Sequence, residues 1–420
     1  MRYNFYFDET FHDPKITIKE DGALNVLKEN TNESYIGVFW GYEYCKEKAI
    51  YGKLKALEDK YAKIFDVKDE FKSTTIGKKN FEYGIRSFNN NAYDFYKDLF
   101  EVLEEINPML HINMVSKVEL LIRNIFDGNE LCKRTPGIIL NSFYYSMTKF
   151  ILFYHSPHLL KSFYEVTVTG DGEKLKQELV NHLEKIISAT EGIKRKEREI
   201  PAFKSLKRSV SSYRFNTLIN NKYDFVYFQN FDGLMNFLEE KRISSKDVNL
   251  IIDKEKNTYM TAKEYKLHEV KEVDSKECLQ IRLADHLCGF VGRMMFALTH
   301  DRLISEDKID DIEKIQENDL VRKHLLSPEW FMLNEKQFYL YKKVYKVLIV
   351  QQEAYWATMT WSYADQAAMF YSLLRYIASY ESFDEYDKIE IKLHTEYYNA
   401  TCIEDLERHY TSFYREYFRS

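Results

Sequence analysis

A mixed α/β fold is predicted by three features of the sequence. The opening residues alternate apolar and polar side chains with the period of a strand. Far downstream, Val248-Asn-Leu-Ile-Ile-Asp253 carries a continuous apolar run, Leu250 to Ile252, of the kind found in a strand buried on both faces. Amphipathic stretches with apolar residues three and four apart lie between and beyond these segments, and they read as helices packed on the sheet.

Tyr3, Phe5 and Phe7 alternate with Asn4, Tyr6 and Asp8, which predicts a strand over Tyr3–Asp8 with Asp8 directed away from the phenylalanine face. Strands over Lys15–Lys19 and Tyr35–Tyr42 are expected to follow, with Asp21-Gly22 marking a turn. Leu54, Leu57, Tyr61 and Ile64 place one apolar stripe on a helix between Lys46 and Phe65, and Phe95, Leu99, Val102 and Ile106 place another on a second helix. Leu110–Val115 predicts a further strand. From about Pro136 to Lys222 the pattern changes to aromatic-rich helices, Ile138–His155 and Glu173–Ser188, followed by a charged stretch. Strand-like Asp224–Gln229 and Val248–Asp253 then resume the α/β character, so the middle segment reads as an insertion. Leu279, Leu283, Leu287, Phe290, Met294 and Leu298 form the apolar face of a late helix, and past His300 the chain reads as helical throughout. The expected organisation is an α/β core in two parts, 1–135 and 223–300, a helical basic insertion at 136–222, and a helical C-terminal domain at 301–420.

Composition narrows the classes. The 420 residues include 33 Tyr and 29 Phe, enough aromatic surface for more than one core. Net charge is only -6, so contact with a polyanion would rest on a local patch. Cys45, Cys132, Cys278, Cys288 and Cys402 are scattered without a C-x-x-C pair, which argues against a disulfide framework or a zinc knuckle. With no charged leader and no apolar run near the roughly 18 residues that span a bilayer, a soluble cytoplasmic protein without membrane contact is expected.

Three acids stand out against apolar surroundings. Asp8 and Asp253 each end a strand, and Asp285 lies inside the glycine-marked helix Leu279–Leu298, where it lines up with Arg282, Gly289 and Gly292. Each has a plainer reading: a turn or cap residue for Asp8, an Asx-turn before Lys254-Glu-Lys-Asn257 for Asp253, and an Arg282 ion pair for Asp285. An interior glycine costs about 1 kcal/mol relative to alanine, so Gly289 and Gly292 point to another backbone packing closely below the acid. Two carboxylates about 4 Å apart repel by roughly 4 kcal/mol at an effective dielectric of about 20, which favours a bound cation. Hard oxygen ligands without a Cys/His set favour magnesium or manganese over zinc.

In chain order, Phe7-Asp8-Glu9-Thr10, Glu70-Phe-Lys72-Ser73, Ile252-Asp253, Val273-Asp274-Ser275-Lys276 and Leu283-Ala284-Asp285 with Gly289 resemble a bacterial ribonuclease-H-like family, domain of unknown function thirty-eight hundred. Its members look like a strand ending in Asp-Glu-Ser-Gly, a Glu-x-Lys-Ser segment, a strand ending in Asp and a helix reading Gln-x-Ala-Asp-x-x-x-Gly. Thr10-Phe11 departs from the Ser-Gly, and Arg282 stands in place of the glutamine. The resemblance covers about 1–135 and 223–300. It implies a ribonuclease-H-like mixed sheet with flanking helices, and a metal-dependent nuclease in which Asp8, Asp253 and Asp285 hold Mg2+ or Mn2+. Glu9 is a further candidate metal ligand, Glu70 a candidate fourth catalytic acid, and Lys72 a group to steady a phosphate or pair with an acid. His12 is a candidate proton shuttle, with a surface histidine as the plainer reading. A role in prokaryotic antiviral defence or mobile-element biology would suit the family.

Between Thr190 and Lys222 nine basic residues face three acids, a local balance of +6, with Phe203, Tyr213 and Phe215 interleaved. Such an arm can neutralise phosphates and stack unpaired bases. Lys204, Lys207, Arg208, Arg214 and, on the late helix, Arg282 are the expected nucleic-acid contacts; the alternative is a solvated loop. The aromatic stripe of Trp356, Trp361, Tyr363, Phe370 and Tyr371 reads as core, with any excess available to a homodimer or partner protein. Two functions follow: a divalent-metal nuclease cutting RNA or DNA, or a catalytically silent binding or regulatory module of the same fold.

Overall fold

The computed structural model describes residues 1–13, 15–18, 24–27, 33–197, 199–215, 228–306, 325–352 and 362–417. In chain order its main elements are β1 (Tyr3–Thr10), β2 (Ser34–Glu43), α1 (Glu47–Ile64), α2 (Asn90–Ile106), β3 (Met109–Ser116), α3 (Lys117–Ile125), α4 (Gly128–Arg134), α5 (Leu140–Tyr154), α6 (Pro157–Thr169), α7 (Glu173–Thr190) and α8 (Ile200–Ser212). They continue with α9 (Phe228–Glu240), β4 (Val248–Asp253), α10 (Lys256–Ala262), β5 (Glu269–Val273), α11 (Leu279–Glu306), α12 (Glu335–Tyr345), α13 (Asp365–Ala378), α14 (Phe383–Asp387) and α15 (Ile391–Tyr417).

The five strands form one mixed sheet in the order β3-β2-β1-β4-β5. β1 and β3 both pair antiparallel with β2, whereas β4 runs parallel to β1 and β5 parallel to β4. The carboxyl ends of β1, β3, β4 and β5 therefore gather at one edge. Period-two alternation divides the side chains between two faces. Tyr6, Val38, Trp40, Ile112 and Ile251 pack into one core with α1, α2 and α11, while Phe5, Phe7, Phe39, Leu250 and Ile252 meet Phe231 and Phe237 of α9 on the other. Fully burying an apolar side chain of this size stabilises by about 1.5–3 kcal/mol.

The first core continues without a break into the C-terminal helices: Phe290 and Met294 of α11 share it with Trp330, Tyr341, Phe370 and Leu373. The insertion builds a core of its own from residues such as Phe150, Leu160, Leu183 and Phe203, anchored on Tyr35, Val115 and Val118.

The mixed α/β expectation holds, and Val248–Asp253 forms a strand with the expected bounds. Differences fall where tertiary contacts decide. Ile18 makes only an isolated bridge to Leu24, so Lys15–Ile18 adds no strand to the sheet; Lys19 and the Asp21-Gly22 turn lie outside the described residues. Phe228 and Gln229 open α9 instead of closing a strand, and 224–227 lie outside the described residues. β5 was not expected, because Glu269-Val-Lys-Glu-Val273 is an edge strand with solvated charges and has no apolar run to betray it. Among the described residues no helix is long and apolar enough to cross a membrane.

Candidate functional site

The register of β1 and β4 brings two acids level. Phe7 pairs with Ile252, so the next residues, Asp8 and Asp253, follow side by side where the β1–β4 pairing stops, and strands pair at about 4.8 Å. Asp253 ends β4 as expected, whereas β1 runs on to Thr10 against β2, so Asp8 lies two residues inside its strand. Alternation aims both to the face that holds Tyr6 and Ile251, the face covered by α11. Asp285 projects from α11 toward the same edge, where it accepts hydrogen bonds from Ser73, 2.7 Å from the backbone N to Oδ2 and 2.7 Å from Oγ to Oδ1. All three acids keep partial access to solvent amid buried neighbours.

Two glycines make this docking possible. A Cβ on Gly289 would lie 2.5 Å from Ser73 Cβ and Oγ, and one on Gly292 would lie 2.7 Å from Thr10 Cγ2 and 2.9 Å from a ring carbon of Phe11. The crowding expected below Asp285 is real, but it is not the backbone approach the glycines suggested: the nearest atoms are side-chain atoms of two segments, Ser73 on one and Thr10 and Phe11 on the other. Both segments adjoin an acid, so the glycines fix the spacing between α11 and the end of β1.

The electrostatics show the acids acting on one another. Burial pushes the Asp8 carboxyl well above the ordinary range, and the charges of Asp285, Glu9 and Asp253 push it further, against a hydrogen bond from the Glu9 backbone to Oδ1 at 2.8 Å. Asp253 Oδ1 accepts from the backbone of Lys254 at 2.8 Å and of Ser275 at 3.1 Å. Lys72 lies 3.2 Å from Glu70, and although burial opposes its charge, Glu70, Asp253 and Asp285 together raise its pKa. The other Glu70 oxygen, Oε1, is buried with no hydrogen-bond partner. An unpartnered buried carboxylate oxygen is costly unless something cationic meets it. The donor chemistry here, carboxylate oxygens beside such an orphan, fits a hard divalent cation.

As placed, however, each acid is turned onto local donors. Among the described residues, no group of three or more His, Cys, Asp or Glu side chains is arranged so that it could hold a metal ion.

Several expected site residues stand elsewhere. Glu9 alternates to the opposite face from Asp8, where it meets His12 Nδ1 at 2.7 Å, the Tyr35 hydroxyl and Thr258 Oγ1 at 3.4 Å. It meets His12 and not Asp253 or Asp285; although burial lowers the His12 pKa, the hydrogen bond and charge of Glu9 raise it on balance. Arg282 is buried and gives Glu58 two bonds of 2.8 Å, not the intrahelical partner Asp285. It also donates to the Ser275 carbonyl, and Ser275 in turn donates to Asp253, so the residue expected to touch nucleic acid instead positions the acid. Ser73 and Ser275 hold the acids; both stand in the segments quoted for the resemblance, but nothing in the sequence assigned them this role.

On the insertion, Lys204, Arg208 and Arg214 are exposed, and Lys207 reaches Glu184 at 2.6 Å. Phe203 and Tyr213 are buried in the insertion core and Phe215 packs against it, so these rings do not serve as the expected stacking surface. Arg198 and Lys222 lie outside the described residues, as do Trp356 and Trp361. Tyr363 and Phe370 are core. Compared with protein-family models, curated proteins and solved structures, the chain finds no match.

Proposed function

We propose that this chain is a divalent-metal-dependent nuclease with a ribonuclease-H-like carboxylate site, related to the domain family thirty-eight hundred that its ordered motifs resemble. The observation that carries this reading is the parallel register of β1 and β4, whose last pair, Phe7 and Ile252, sets Asp8 and Asp253 side by side on the face where α11 presents Asp285, with Asp8 responding to both partners. The five-stranded mixed sheet with helices on both faces supports the fold that the resemblance implies. Asp8, Asp253 and Asp285 would hold magnesium or manganese, with Glu70 nearby through Lys72. A bound ion of this kind lowers the pKa of water and offsets charge developing on phosphate. The reaction is hydrolysis: a water oxygen bonds to phosphorus, the ester P–O bond breaks, and the departing sugar oxygen takes a proton. Lys72 would meet a phosphate oxygen.

Incubation with labelled RNA, DNA and hybrid tests this. Cleavage with Mn2+ or Mg2+ is expected, reduced at least roughly 100-fold by Asp8→Asn, since even outer-shell changes at metal sites cost 10- to 100-fold. The acids' present attachment to Ser73 and Ser275 favours a second reading, a catalytically silent nucleic-acid-binding module. No cutting with any divalent ion, alongside intact oligonucleotide binding, would establish that reading instead.

A further inference from the structure

One face of α11 extends the acid site outward. Asp285, Gly289, Gly292, Phe296 and His300 follow at intervals of three and four, so they form one stripe along the helix, rising about 22 Å from the acid to His300. Phe296 and His300 stack at 5.6 Å with ring planes 10° apart. Phe11, arriving from the end of β1, stacks on Phe296 at 6.3 Å and 25°. Above this ladder the Lys78 ammonium lies 5.2 Å from the Phe296 ring centre. All three rings are partly exposed, and Lys78 is exposed.

Phe11 is held there against its own backbone preference. Its φ is 58°, in the left-handed region that a bulky side chain seldom adopts. The surroundings enforce it: the buried Lys117 ammonium donates to the Phe11 carbonyl at 2.9 Å and to Asp13 at 2.5 Å, and Gly292 leaves room for the ring. Strain that is over-determined beside a candidate site is a mark of function.

We propose that the Phe11–Phe296–His300 ladder is a stacking platform for the unpaired bases of a nucleic-acid strand entering the acid site. Flat rings suit every base, which gives binding tolerant of sequence, and Lys78 supplies the phosphate contact. The ammonium now over Phe296 occupies the place a base would take. An exposed cation–ring contact is weaker than base stacking, so the exchange favours the base and frees Lys78 for the backbone. The substrate class rests on the nuclease reading, but the binding itself needs no turnover.

Fluorescence anisotropy in chelator, with labelled single-stranded RNA and DNA and the matching duplexes, tests the platform apart from cleavage. Single strands should bind more tightly than duplexes. Phe296→Leu and Phe11→Gly should each weaken single-strand binding by roughly 5- to 150-fold and leave duplex binding unchanged. Phe11→Gly loses the contact of the ring with the core but relieves the backbone strain, so its melting temperature should stay near that of the wild type, which separates loss of the ring from loss of the fold. Wild-type binding that is absent or equal for single and double strands, or variants that bind single strands like the wild type, would overturn the proposal. Platform binding without metal-dependent cutting by the wild type would overturn the nuclease reading alone.

Discussion

Asp8 is the acid whose protonation the fold changes most directly. Burial and the charges of Asp285, Glu9 and Asp253 raise its pKa in the folded chain, so the fold keeps a proton that the unfolded chain, near the ordinary value of about 3.9, has released. The stability this residue contributes therefore falls as pH rises from about 4 toward its folded value. Asp8→Asn carries no charge at any pH. In chelator it is expected to melt above the wild type at pH 7, with the margin vanishing below pH 4. Manganese at a hundred times its Kd should stabilise the wild type by about 2.7 kcal/mol and leave the variant unmoved. Scanning fluorimetry with and without Mn2+ measures both, and an equal manganese gain in the two proteins would remove Asp8 from the ligand set. Phe11 shows a second demand on one residue. Thr10-Phe11 stands where the resembled pattern has Ser-Gly, and the left-handed backbone that glycine adopts freely is held by phenylalanine at a strain on the order of 1–3 kcal/mol.

At the scale of elements, α11 carries Asp285 and sets its position through its glycines. Gly289→Ala would gain about 1 kcal/mol of helix propensity but would force a Cβ to within 2.5 Å of Ser73. Overpacking of this kind costs about 1–3 kcal/mol, so net destabilisation is expected, together with loss of the proposed metal-dependent cleavage as Ser73 leaves Asp285. Gly52 of α1 is the control, since a Cβ there meets nothing within 4 Å and its alanine variant should be as stable as the wild type or more so. Urea midpoints that shift equally for the two variants would show that Gly289 is merely a weak helix residue. Elements with their own periodicity were legible in the sequence: β1, β4, α1, α2 and α11 all followed from apolar spacing, and the crowding beneath Asp285 followed from the two interior glycines. What spacing cannot carry is the partner. Arg282 shares the face of Asp285 but bonds to Glu58, 224 residues away in sequence, and Glu9 neighbours Asp8 but points through the sheet. The solvated charges of β5 hid an edge strand for the same reason, because only its pairing with β4 makes it one.

Across the whole molecule, the sheet and the C-terminal helices fold on one core. Trp330, fully buried, lies against Gly84, whose φ of 59° and lack of a side chain admit both the indole and the Tyr341 hydroxyl. Tyr341 accepts a hydrogen bond from the Ile85 backbone at 3.2 Å, and Met294 of α11 closes the same contact. α11 thus presents its acid to the end of β1 while its apolar side is clamped by residues beyond 325. Removing the clamp should be felt at the strands. Trp330→Ala is expected to cost about 3–5 kcal/mol through the cavity it leaves. Because the core is continuous, hydrogen exchange of the β1, β2 and β4 amides should accelerate by the same free energy as exchange in α12 and α13. If the C-terminal region were a separate cooperative unit, the strands would keep their protection while those helices lost theirs. Site-resolved exchange by mass spectrometry distinguishes the two, and joint loss would mean that the geometry around Asp285 depends on packing far from any acid.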